Sequence, residues 1–82
     1  MEYDKKKILN IATGDTQIVA AVIERVNKAY KAGFSLNGSE EKDGVEFALV
    51  ERGESTLDEI FILGYYYGAK VKELRGRKEI DW

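Results

Sequence analysis

The sequence predicts a small, mainly α domain in which two long helices, about 15–32 and 55–75, pack antiparallel. Three observations carry that expectation. Apolar residues recur at the 3.6-residue helical period in both segments. A capping residue stands before each run and a glycine behind it. Proline is absent, so no helix interior is broken. The 82 residues suit one domain, 1–82, and folding of such a chain buries roughly 60–65% of its extended surface.

Taken in order, Asp4–Thr13 reads as a short helix, capped by Asp4 and stopped by Gly14, with Ile8, Leu9 and Ile11 on its apolar side. The first long helix follows, capped by Asp15 or Thr16. Ile18, Val19, Val22, Ile23, Val26, Ala29 and Tyr30 form its stripe, Glu24, Arg25, Asn27, Lys28 and Lys31 lie mainly opposite, and Gly33 ends it. Phe34 folds back as the apolar residue after the cap.

Phe34–Ser39 is a connection with a turn at Asn37-Gly38. The 39–52 segment satisfies two patterns. Val45, Phe47 and Leu49 alternate as in a strand, whereas Val45, Ala48, Leu49 and Arg52 share a helical face. Ser39 as a cap, acids in the first turn and Gly53 after Arg52 favour a helix, against the cost of Gly44 in its interior. The alternative is an α+β fold in which 34–50 forms a two-stranded hairpin.

The second long helix opens on Thr56-Leu-Asp-Glu59, a capping box. Its expected core stripe is Leu57, Ile60, Gly64, Tyr67, Val71 and Leu74. Phe61, Tyr65 and Gly68 lie beside it, and Ile62, Tyr66 and Ala69 point elsewhere. Gly76 stops the helix, and 77–82 is a loose tail unless Ile80 and Trp82 dock.

Charge is unevenly spread. Residues 1–38 carry six bases and four acids, 39–59 two bases and eight acids, and 60–82 five bases and three acids. The middle acids, chiefly Glu40, Glu41, Asp43, Glu46, Asp58 and Glu59, read either as solvated faces or as a surface for a basic partner. Asn37, Ser39, Glu41 and Asp43 have the odd spacing of a calcium loop. That loop needs glycine where Lys42 stands and glutamate where Ala48 stands, so no metal is expected. The bases Lys70, Lys72, Arg75 and Arg77, with Trp82 near, are a candidate nucleic-acid surface. They also complement a helix C-terminus, and the chain's pI of about 5.2 opposes direct contact with nucleic acid.

The most informative stretch is Phe61-Ile-Leu-Gly-Tyr-Tyr-Tyr-Gly-Ala69, apolar or aromatic nearly all round the helix. A helix in so small a domain is rarely buried on every side. An interface built on Phe61, Tyr65, Tyr66 and Tyr67 is therefore favoured over a fully wrapped central helix. Gly64 and Gly68, one turn apart, are expected to receive the Ala20–Ala21 region of the first long helix.

Catalysis has little support. Without His or Cys, the Ser–His and Cys–His nucleophile pairs are excluded, and thiolate or imidazole metal sites with them. No phosphate-binding, dinucleotide or zinc-protease motif occurs, and no cofactor is expected. The longest mostly apolar run, Ile60–Ala69, is about half what a membrane span needs. With no cysteine and no apolar leader core, a cytoplasmic setting is expected. The expected function is a non-catalytic protein–protein interaction module acting through the acidic surface and the tyrosine-rich helix. Short, acidic and cysteine-free, the chain is similar in general character to small accessory and inhibitor proteins of phages and mobile elements, though no motif is shared. The alternatives are a nucleic-acid-binding or regulatory protein using the basic helix end, and a structural homodimer.

Overall fold

The structure, a computed structural model, describes residues 8–82. Its elements run β1 (Ile8–Ala12), α1 (Thr16–Tyr30), β2 (Ser35–Lys42), β3 (Val45–Glu51) and α2 (Leu57–Gly76). The three strands form one antiparallel sheet in the order β1-β3-β2. The fold is therefore α+β, and the mainly α expectation is overturned. The two long helices are present, but they are one layer of two. The smallest extent of the Cα trace, 16 Å, leaves room for two layers only.

Two helical expectations fail at strands, and local chemistry explains both. Ile8–Ala12 is an edge strand paired with β3 from Ile8↔Glu51 to Ala12↔Phe47, not the second half of a helix; the Asp4–Lys7 part of that expected helix lies outside the described residues. A helix over 4–13 would have ten residues, too few to be stable alone, and pairing with β3 supplies backbone partners to 8–12. The 39–52 segment is not a helix either. Asp43 and Gly44 have φ of 53° and 82°, the left-handed pair that a two-residue hairpin turn demands. Gly44, a defect in a helix, is here the residue that closes the hairpin. Gly38, at φ 88°, lies at the register shift between Leu36 and Ser39, a bulge inside β2 rather than a turn.

The helices start as the sequence indicates. Asp15 accepts from the Gln17 amide at 2.9 Å. Thr56 and Glu59 close their box in both directions, at 2.8 and 3.1 Å. α1 stops earlier than Gly33: Lys31 takes the left-handed position at φ 56°. Asn27, expected on the wet side, instead clamps the chain that follows. Its side chain donates to the Phe34 carbonyl at 2.7 Å and accepts from the Phe34 amide at 3.1 Å. This fixes Phe34, 3% exposed, in the core. Buried Ser55 ties the same corner together by accepting from the Gly33 amide at 3.0 Å.

Both helices cover one face of the sheet. Val19, Val22, Ile23 and Val26 of α1 meet Ala48 and Val50 of β3 and Leu63 of α2. Leu63 is 1% exposed, whereas Leu57, expected in the core, is 64% exposed. The buried row of α2 is Leu63, Val71 and Leu74, with Ile60 and Tyr67 beside it, so it is rotated from the expected stripe. Neither Gly64 nor Gly68 receives α1: a Cβ added at either would meet nothing within 4 Å. The tail docks. Arg75 Nε donates to the Trp82 carbonyl at 2.9 Å, and the Trp82 indole occupies the space a side chain at Gly14 would need.

Leu63→Ala should destabilise the protein by about 2–5 kcal/mol, and Leu57→Ala by no more than about 0.5 kcal/mol. Urea unfolding of dilute protein followed by circular dichroism measures both. Equal losses would contradict this orientation of α2.

Candidate functional site

The residues singled out in the sequence divide between two sides of α2. Its inner side holds the core. Its outer side presents Leu57, Phe61 and Tyr65, which are 64%, 78% and 73% exposed. They recur every fourth residue, so they form one ridge. Gly64, Gly68 and Ala69 are exposed alongside, and with Lys72 and Gly76 they make a shallow trough next to Tyr65. Contiguous apolar exposure of this kind is unusual on a small protein and marks contact surfaces. The glycines sharpen the point. Each weakens a helix by about 1 kcal/mol relative to Ala, and no neighbour among the described residues requires either Gly64 or Gly68 to be small.

The three consecutive tyrosines have three surroundings. Tyr65 projects outward. Tyr66 is half-buried at the α1–α2 seam, where its hydroxyl lies 3.2 Å from that of Tyr30 and Arg25 sits 5.3 Å from its ring centroid. Tyr65 and Tyr66 meet edge to face, with centroids 5.7 Å apart. Tyr67 is half-buried against the core and donates to the Ala12 carbonyl at 2.9 Å. Of the expected aromatic contact residues, Phe61 and Tyr65 are thus displayed, while Tyr66 joins α2 to α1 and Tyr67 joins α2 to the sheet.

The acids do not form one tract. Glu40, Glu41 and Asp43 are exposed along the tip of the β2–β3 hairpin. Glu46 is occupied by Ser39, whose hydroxyl donates to it at 3.0 Å. Asp58 and Glu59 stand in the first turn of α2, where the helix dipole favours them, and Glu59 is committed to the capping box. Among the described residues no cluster of acids has a metal-binding arrangement.

The basic end of α2 is partly compensated. Lys70 lies 3.6 Å from Glu73, and Arg77 meets Glu73 at 2.6 Å and Glu79 at 3.6 Å. Arg75 donates only its Nε to the Trp82 carbonyl, a neutral acceptor that leaves its charge uncompensated among the described residues. Lys72 alone of the four candidate bases has no hydrogen-bond or ion-pair partner among the described residues. That leaves few charges for a phosphate backbone, which binds through many.

One surface went unnoticed in the sequence. The helices cover only one side of the sheet, so Val45, Phe47 and Leu49 of β3 point to the other, with Ile8 beside them. Val45 is 43% exposed, and Phe47 and Leu49 are half-exposed. The strand-like alternation of 45, 47 and 49 was its signal.

The Tyr30 phenol is raised above its ordinary value by the hydrogen bond to Tyr66, then by repulsion between the two hydroxyls when ionised, then by slight desolvation. A raised value keeps Tyr30 neutral to higher pH. Titration by 13C-tyrosine NMR should show the Tyr30 ring ionising above the usual phenol value of about 10, and Tyr66→Phe should bring it down. An unchanged Tyr30 curve in Tyr66→Phe would disprove the coupling.

No helix among the described residues is long and apolar enough to cross a membrane. No family model, no curated protein and no solved structure matches the chain.

Proposed function

We propose that the chain is a non-catalytic protein-binding module whose contact surface is the outer face of α2. One observation carries this reading: Phe61 and Tyr65 are 78% and 73% exposed on the same helix that buries Leu63 to 1%. Burying an aromatic side chain is worth roughly 1.5–3 kcal/mol relative to leaving it in water. A chain that shields Leu63 and displays two rings four residues apart has core on one side of α2 and adhesive surface on the other. Large, stiff aromatic anchors beside small residues are the composition of interface centres.

The acids refine the partner. Among the described residues, Glu41, Asp43 and Asp58 pair with no cation, so a partner bearing basic groups would be drawn to them. The partner is another polypeptide, a second copy included. A nucleic-acid role is the weaker reading, because the bases of α2 are mostly engaged within the chain.

Site-directed photocrosslinking in living cells tests the surface. A benzophenone amino acid in place of Phe61 or Tyr65 should give a discrete adduct with one protein. The same group in place of exposed Lys28 of α1 should not. Equal labelling from all three positions, or none from 61 and 65, would remove the reading. In dilute protein Phe61→Ala and Tyr65→Ala should change stability by no more than about 0.5 kcal/mol. A loss of about 3 kcal/mol, as for a buried aromatic, would make both residues structural.

A further inference from the structure

We propose that the occupant of the outer face of α2 is a second copy of this chain, the two α2 helices packing antiparallel across a two-fold axis level with Tyr66 and Tyr67. This rests on the reading of that face as a protein contact.

The face is complementary to itself in one orientation. Its first half is large and apolar, with Leu57, Phe61 and Tyr65; its second half is small or flexible, with Gly68, Lys72 and Gly76. Reversing one helix against another sets Tyr65 over Gly68, Phe61 over the alkyl stem of Lys72, and Leu57 over Gly76. Tyr65 and Leu57 then each meet a glycine and Phe61 a flexible stem, twice over, as a two-fold contact between identical surfaces requires. A parallel pairing sets ring against ring and leaves the glycines facing each other across a void.

Charge selects the same orientation. α2 opens on Asp58 and closes on Arg75, both exposed. In the antiparallel pair Asp58 of each protomer reaches Arg75 of the other. Nε of Arg75 is held by the Trp82 carbonyl, which leaves its terminal nitrogens to face a carboxylate. The helix dipoles also oppose. A parallel pair would align like charges and like dipole ends. The contact would run about 28 Å, from Leu57 to Gly76.

The small residues take a role they lack inside the protomer. Gly64 and Gly68 have open space where a side chain would stand. A second α2 would fill it and make their smallness a condition of close approach.

Sedimentation equilibrium tests the proposal on the whole chain, from about 5 to 200 μM, a range that spans micromolar self-association. Wild type should be a dimer at the upper end. Gly68→Leu should fold, by circular dichroism, and raise the dissociation constant at least tenfold. Asp58→Lys should weaken the dimer, and adding Arg75→Glu to it should restore association. This charge pair keeps the proposal testable if Gly68→Leu folds poorly. A monomeric wild type at 200 μM overturns the proposal. So does a dimer that persists in Gly68→Leu, or one dissolved by Phe47→Lys on the open face of the sheet. A monomer that still crosslinks to a different protein through position 61 overturns only the second copy. A monomer with no adduct at 61 or 65 removes the protein-contact reading as well.

Discussion

Strand β3 is the constraint on which the rest of the molecule depends. Among the described residues it is the only strand with a neighbour on both edges, and its Ala48 and Val50 are fully buried beneath the helices. β1 and β2 are each held by it, and neither touches the other. Removing β3 would leave two edge strands without hydrogen-bond partners and two helices without a floor. Its register follows from the Asp43-Gly44 turn. A slip of one residue would turn Ala48 and Val50 to solvent and drive Phe47, Leu49 and Glu51 into the core. The Asn27–Phe34 clamp and Ser55 serve the same end at the opposite edge, because they fix where α1 hands the chain to β2 and where β3 hands it to α2.

Because, among the described residues, the sheet has helices on one side only, a two-layer body of this size has more apolar residues than it can cover. The surplus appears in two places. One is the open face of the sheet, where Val45, Phe47 and Leu49 are half-covered by their own neighbours. The other is the outer face of α2, where Phe61 and Tyr65 have almost no cover. The second is the more demanding exposure, and it is joined to a strip of glycine that the fold itself does not need. The tyrosines show the division of labour. Tyr66 and Tyr67 join helix to helix and helix to sheet through ring packing and hydroxyl bonds, while Tyr65, next in line, is left outside.

An excess of apolar surface on α2 was legible before the fold, because the Phe61–Ala69 run is too apolar for one buried stripe. Which of its residues are displayed was legible only in part: Phe61 and Tyr65 are exposed, whereas Tyr66 and Tyr67 are half-buried. The period of the pattern admits more than one rotation of a helix whose apolar residues surround it: it suits Leu57 and Gly64 facing inward as well as it suits Leu63, and the structure buries Leu63. The hairpin had a sequence signature, Asp43-Gly44 between alternating apolar residues, but the same stretch carried acids and a cap suited to a helix. β1 had none: Ile8–Ala12 is a strand because β3 lies beside it.

By itself, then, the sequence determined the two long helices, their caps at Asp15 and Thr56, and the excess of apolar surface along the second. These are local properties, set by hydrogen bonds within a turn and by side-chain spacing along one element. It also removed imidazole and thiol chemistry outright, since composition needs no fold to exclude them. The tertiary structure decided the rest. It chose strand over helix at 8–12, where the backbone partners come from β3, distant in sequence, and at 39–51, where the Asp43-Gly44 hairpin gains a third strand and a cover of helices that the local pattern does not record. It also chose which side of α2 faces water, because burial depends on what stands opposite, and a single helix carries no record of that.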